Sequence, residues 1–484
     1  MLHISDIRNA NFEGIFEIAK MLKDKGFQCY VVGGIVRDLL LYKSINDDAE
    51  WDITTDAKPE EIVEIFSKKR IKVIPTGIKH GTVTVIYKGK MYEITTFRID
   101  KDYKDGRHPS EVIFTSSIEE DLSRRDFTIN AMAIDIIDEK FIDPFGGMSD
   151  LEKNIIRAVG NPEVRFYEDG LRLMRACRFA AKLDFTIEEK TLEAIKKNKE
   201  NLKRVSIERI RDELIKMLIA KRTSVGIEYM RISGLLDIVL PELSNCYGVS
   251  QNIYHKYDVY THSLITSDAV SKILGDVNDK KRIYRLKLAG LLHDIAKPIT
   301  KNEVIDNGVD HSTFYNHEVI GASITKRIMR RLRFSNDDIE YVTRLVRHHM
   351  FYYTEEWTDS AVRRFMRNVG LDLLDDLFVL READRIGSGK RQPGSVSISK
   401  LKARIQKIIE EENAISLKDL KINGYDIMNE LGIKPGPTIG KILNSLLQIV
   451  IDDPSQNEKE KLLSLAKEIH NNLTFQPEEE KPHL

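Results

Sequence analysis

Two acids, Glu50 and Asp52, flank Trp51 where the apolar run WDITT begins. Side chains at i and i+2 of a strand point to the same side, so both carboxylates can face one divalent ion while Trp51 turns to the core. Upstream, the Gly33-Gly34 pair lets the backbone approach a phosphate closely, and Arg37 offers it a positive charge. Together these are the parts of a two-metal nucleotidyl-transfer site. An isolated E-x-D is equally the solvated end of a turn, so the pair takes its meaning from the residues around it. Further along, in EDGLRLMRACRF, Asp169 and Arg172 stand three apart, as neighbours on a helix do. A carboxylate accepts from an exocyclic amine and a guanidinium donates to a ring nitrogen or carbonyl, so the two can meet the base edge of C or A. The same spacing also makes an ordinary helical ion pair. A third group, His262, His293-Asp294 and Asp384, mixes imidazole with carboxylate, a donor set suited to transition metals, with Mg held mainly by the carboxylates.

The elements that must carry these residues fall into an α+β head and a long helical remainder. FEIAKMLKDKGF reads as an amphipathic helix, and QCYVVGG as a strand ending in a glycine turn. GTVTVIYKGKMYEITTFR alternates and turns at Gly89 as a β-hairpin does. After DPFGGMSDLEK the strand patterns stop, and nearly every later segment has helical periodicity. In SIERIRDELIKMLIA, Ile207, Ile210, Leu214 and Met217 share one stripe, with Ser206 as N-cap. GSGKRQPGSVSIS (387–399) has the content of a linker, and QPEEEKPHL that of a loose acidic tail.

With 484 residues, the chain is too long for one core. A charged fraction of 31% and a hydrophobic fraction of 42% suit a soluble folded protein. The net charge of −1 means that nucleic acid must be met by local basic patches. Two such rows lie in SITKRIMRRLRF (323–334) and AVRRFMRNVG (361–370), which fit an RNA backbone or simply solvent. Cys29, Cys177 and Cys246 are too scattered for a disulfide framework or a thiolate zinc site, which points to a reducing cytoplasm. No apolar run approaches the ~20 residues of a membrane span, so no membrane partner is expected.

Read in order, GGIVRDLLL…EWDITTDAKPEEI, GIKHGTVTVIYKGKMYEITTFR, DLSRRDFTINAMA, DPFGGMSDL and EDGLRLMRACRFAA resemble the class II tRNA nucleotidyltransferases, the CCA-adding enzymes and their poly(A) polymerase relatives, over about residues 15–240. The resemblance implies a polymerase-β-like palm at 1–145, a helical neck with base recognition at 146–222, a helical body at 223–390 and a tRNA-binding tail at 391–484. It implies addition of C, C and A to the tRNA 3′ end from CTP and ATP, without a nucleic-acid template and with two Mg²⁺. It puts the metal pair on Glu50 and Asp52, a departure from the family's D-x-D. Glu50 would act as a working substitute, with Asp47 or Asp48 reaching in as the alternative and reduced activity as another. Glu93 is a candidate third acid. Gly34, Arg37 and Arg125 match nucleotide contacts, Asp126 and Asn130 local supports, Asp169 and Arg172 base recognition, and Arg175 and Arg178 further nucleotide contacts. Leu171, Met174 and Phe179 read as packing. Residues 98–114 resemble the mobile loop of complete CCA-adding enzymes, and 420–443 resemble the family tail, with glycines before a helix that could face phosphate.

His262, His293, Asp294 and Asp384 resemble the ligand set of HD metal-dependent phosphohydrolases. That likeness suggests a transition metal, with His317 and His348 completing a second position and His349 incidental. Two other functions fit the same residues: a poly(A) polymerase on this scaffold, or an HD phosphohydrolase whose head only binds nucleotide.

Overall fold

A computed structural model describes residues 12–42, 51–103, 109–251, 255–306, 309–390, 394–411 and 417–474. Glu50, Asp47 and Asp48 lie outside these residues, as does the acidic C-terminal segment. Contacts divide the chain at Tyr247 into two compact units, with Asp279–Tyr284 and Ile328–Ser335 grouped in the first.

The first unit opens on the helix α1 (Phe12–Lys23), as its sequence pattern predicts, then β1 (Cys29–Val32) and α2 (Gly34–Tyr42). It continues through β2 (Trp51–Thr55), α3 (Pro59–Lys68), β3 (Lys72–Gly77), β4 (Thr82–Tyr87) and β5 (Lys90–Thr96). The β4–β5 hairpin turns on Lys88 and Gly89, both at positive φ, the backbone that matches the twist of two paired strands. After β6 (Arg98–Tyr103), β7 (Pro109–Phe114) and α4 (Ile118–Ser123), the strands β8 (Ala133–Asp135) and β9 (Lys140–Ile142) complete a seven-stranded sheet. Its order is β3-β4-β5-β2-β1-β8-β9. Only β2 and β5 run parallel within it. Strands β6 and β7, in the segment read as a loop, form a two-stranded sheet of their own.

Alternation along β2 explains Trp51. Trp51 and Ile53 are buried with Tyr92, Ile94, Val83 and Val85 against Ile15, Ile18 and Leu22 of α1 and Ile62 and Phe66 of α3. Asp52 between them is exposed on the opposite side. The neck then packs α5 (Gly147–Glu152), α6 (Pro162–Glu168), α7 (Leu171–Leu183), α8 (Glu189–Asn198), α9 (Ile207–Ile219) and α10 (Thr223–Ser233). On α9, Ile210, Leu214 and Met217 are buried as expected and Ile207 is half-buried. Ser206 sits at the N-cap without a capping hydrogen bond from its side chain.

Strands do not stop at the neck. β10 (Ile155–Ile156) pairs with β11 (Thr186–Ile187), and the second unit holds a hairpin of β12 (Asn302–Asp306) and β13 (Val309–Thr313). That unit otherwise packs the helix Val259–Leu274 on Leu374–Gly387, with His317–Arg331 and Asn336–His348 alongside. Helices enter the stretch read as a linker from both ends, and its described residues between them, 388–390 and 394–395, are turn and coil. One helix runs to Gly387, and the next starts at Val396, capped by the Ser395 hydroxyl. The C-terminal helices enclose a separate core of Ile427, Ile442, Leu446, Val450, Leu462 and Ala466. The three cysteines are buried and form no disulfide. Among the described residues, no helix is long and apolar enough to cross a membrane.

Candidate functional site

Asp52 stands directly across from Glu93 in the parallel β2–β5 register, and both side chains are exposed. Two carboxylates on adjacent strands and on one face make a divalent-cation site chemically sound. Beside them Gly33 is at φ +78, where a Cβ would lie 3.2 Å from Asp52 Oδ2 and 3.0 Å from Arg125 Nη1. A larger residue would therefore fill the gap between acid and guanidinium. Burial lowers the pKa of Arg125, opposed by Asp121 and Asp52.

Arg37, on the first turns of α2, is 2% exposed. It donates to Asn130 Oδ1 at 2.6 Å and to Asp38 Oδ1 at 2.7 and 2.8 Å. Asn130 donates in turn to Asp126 at 3.1 Å, and Arg175 of α7 donates to the other Asp126 oxygen at 2.7 Å. Burial alone would raise the Asp126 carboxyl, but Arg175, Asn130 and Arg172 outweigh it and hold it at about 2. Asp126 and Asn130 thus tie α2 to the neck, the supporting part expected of them. Arg178 is bound to Glu213 of α9 at 2.6 Å.

Asp169 and Arg172 meet through the backbone, Arg172 N–H donating to the Asp169 carbonyl at 3.0 Å, while their side chains bind other partners. Asp169 is extended (φ −140, ψ 108) between α6 and α7, and Arg209 of α9 donates to its carboxylate at 2.8 Å. Arg172 donates to Glu168 at 2.5 Å and to the carbonyls of Arg165 and Arg124. The extended backbone at Asp169 breaks the helix that the spacing presumed, and Gly170 is already helical (φ −59, ψ −20). The sequence reading missed Arg209 and Glu213 as supports, although they stand four apart along one edge of α9, where charged neighbours meet.

The second unit brings His262, His293, Asp294 and Asp384 together, all buried. Their neighbours in the other direction are His317 and His349, not His348. His349 Nε2 lies 3.3 Å from His317 Nε2 and 3.7 Å from Asp294, whereas His348 belongs to a pocket with Glu318, Arg347, Met350 and Phe351. The physical reason is the helix end: His348 is the last helical residue, and the chain turns His349 inward. His255, also unforeseen, joins His262 and Asp384. The Nδ1 atoms of His293, His317 and His349 bond the carbonyls of Gly290, Phe314 and Val346 at 2.7–2.9 Å. With Nδ1–H so engaged, the Nε2 lone pairs of His317 and His349 face each other, an arrangement a cation satisfies. Burial works against charge on His262, yet Asp294 and Asp384 raise its pKa to about 9. Lys297 pairs with Asp294 at 2.7 Å, and Arg381 with Asp384 at 2.6 Å. These residues fit a metal.

The basic row at 361–370 does not face RNA with all its charges. Arg363 donates to the Ile451 carbonyl, Arg364 pairs with Asp452, and Arg367 donates to Asn444 and Gln448. In the tail segment 420–443, Asn423 caps the helix Gly424–Leu431 in a reciprocal box with Asp426.

Residues 29–157 match the family described as "Poly A polymerase head domain", 184–247 an RNA- and SrmB-binding site of polymerase A, and 319–466 tRNA nucleotidyltransferase domain 2. The chain is 36% identical to the CCA-adding enzyme of Ligilactobacillus salivarius over 95% of its own length and 96% of that protein's. It is 34% identical to that of Enterococcus faecalis over 94% and 96%. Among solved structures, a Bacillus stearothermophilus CCA-adding enzyme in complex with CTP has a TM-score of 0.69 at 28% identity, over 96% of this chain and 99% of that one. By these matches, carried over nearly the whole length, the chain belongs to the class II CCA-adding enzyme and poly(A) polymerase family.

Proposed function

We propose that the protein adds C, C and A to the 3′ end of tRNA, drawing on CTP and ATP without a nucleic-acid template. The tRNA 3′-hydroxyl oxygen bonds to the α-phosphorus, the bond from that phosphorus to the bridging oxygen breaks, and pyrophosphate leaves. The observation that carries this reading is the pairing of Asp52 with Glu93 across one strand boundary, beside Gly33 and Arg125. Glu50 and Asp52, with Glu93, would hold Mg²⁺, which supplies charge to offset the ionised nucleophile and the leaving group. Gly34, Arg37, Arg125, Arg175 and Arg178 receive the triphosphate. Asp169 and Arg172 present an acceptor and donors to the base, each held by partners other than the other. Such fixed donors and acceptors select C and A over U and G, whose edges carry the opposite pattern. The β6–β7 ribbon serves the switch from C to A, and the helical remainder, laid out as neck (146–222), body (223–390) and tail (391–484), carries the tRNA in the cytoplasm.

The test is incubation with a tRNA ending at the discriminator base, with CTP and ATP singly and together, followed by 3′-end sequencing. Products ending in CCA and going no further are expected. Open-ended runs of A would establish the poly(A) polymerase alternative. No incorporation, with phosphatase activity in the same chain, would establish the phosphohydrolase with a binding-only head.

The convergence of His262, His293, Asp294 and Asp384, with His317 and His349 alongside, favours a second activity in the body: metal-dependent hydrolysis of a phosphoester. A transition metal there would supply a bound water of lowered pKa.

A further inference from the structure

Phe179 lies on α7, one residue after Arg178 and four after Arg175. Its ring is 4% exposed, yet three guanidiniums crowd it: Arg178 at 4.0 Å from the centroid, Arg37 at 5.1 Å and Arg175 at 5.4 Å. Phe127 meets it edge-on with centroids 5.7 Å apart and is itself fully buried. Three like charges this close repel one another. Each has a carboxylate partner, Asp38, Asp126 or Glu213, but those partners come from three different segments, so none of them holds more than one of the three guanidiniums at the ring. The negative faces of an aromatic ring are what the cluster shares at its centre.

We propose that Phe179 is a positioning residue for nucleotide binding, its ring gathering Arg37, Arg175 and Arg178 into one cationic cluster shaped for the triphosphate of CTP or ATP. The inference rests on the reading above that these arginines receive the triphosphate. A side chain that only filled space would act through shape. One that gathers cations acts through its ring electrons. The two roles separate when the electrons are changed and the shape is kept.

The experiment uses the full chain with Phe179 replaced by 3,4,5-trifluorophenylalanine, which weakens the ring's negative face at nearly constant shape, alongside Phe179→Leu and Arg175→Met. For the fluorinated chain, an unchanged thermal midpoint is expected. The KM for CTP and for ATP should rise together by about three- to tenfold, with kcat changed less than about twofold. Phe179→Leu should raise both KM values further. An unchanged KM in the fluorinated chain, a loss confined to kcat, or a rise for one nucleotide alone would overturn the proposal. Arg175→Met separates the two ideas. If it raises KM while fluorination does not, only the role of the ring falls. If neither changes KM, the triphosphate assignment of the arginines falls with it.

Discussion

Asp52 and Glu93 project from adjacent strands into solvent, whereas Asp294 and Asp384 are shut in among histidines. In the first unit, the arginines around the acids are each satisfied by a side chain of the protein: Arg37 by Asp38 and Asn130, Arg175 by Asp126, Arg178 by Glu213. In the second unit, imidazole nitrogens are turned toward one another, with their far sides bonded to backbone carbonyls. An open site that exchanges large anions keeps its own charges paired between turnovers, so that it does not collapse when substrate leaves. A closed site can leave its donors pointing at a common centre, because a tightly held ion completes them.

Removing one side chain from each site should break this contrast most sharply. Asp52→Ala should lower nucleotide incorporation on the order of a thousandfold with the thermal midpoint unchanged, since the side chain is exposed. Retained incorporation would show that the acid is not in the catalytic machinery. In the second unit, His349→Ala should lower the divalent metal bound per chain, read by elemental analysis, while His348→Ala leaves it unchanged and both retain CCA addition. Equal metal content in all three proteins would remove the case for His349 as a ligand.

Smaller effects sharpen the comparison. Arg209→Ala releases Asp169 and should cut the preference for CTP and ATP over UTP and GTP by about tenfold, a loss of one charged hydrogen-bond partner. Unchanged discrimination would mean Asp169 is placed without it. Lys287 is a buried cation in neither site, and burial pushes its pKa down to about 8. With the folded value below the unfolded one, stability should rise with pH between about 8 and 10.4. Lys287→Met should abolish that slope, read by denaturant unfolding across this pH range. A slope retained in the variant would mean that another group titrates there.

Order along the chain made the head readable. A hairpin at Lys88-Gly89, a glycine turn after β1 and alternation through Trp51 are local patterns, so they survive without knowledge of the fold. The histidine and aspartate cluster of the body could be picked out by type and order, but the choice between His348 and His349 depends on where a helix ends, a matter of one residue. Asp169 and Arg172 read as helical neighbours because spacing assumes a continuous helix, whereas Asp169 is extended where α6 ends and each side chain takes a different partner. Arg209 and Glu213 escaped notice because only the apolar stripe of α9 was followed. Phe179 looked like packing for the same reason: nothing local tells that Arg37 of another helix comes to its ring.

The parallel pairing of β2 with β5 has a bearing on descent as well as on chemistry. About forty residues separate Asp52 from Glu93 along the chain, yet their alignment is set by the ladder of hydrogen bonds between the two strands and not by the intervening segment. Because the loops that join β2 to α3, α3 to β3 and β3 to β4 are not part of that ladder, insertions or losses there can accumulate without moving either acid. A slip of one rung would do the reverse, turning Glu93 toward the Trp51 side of the sheet and away from Asp52.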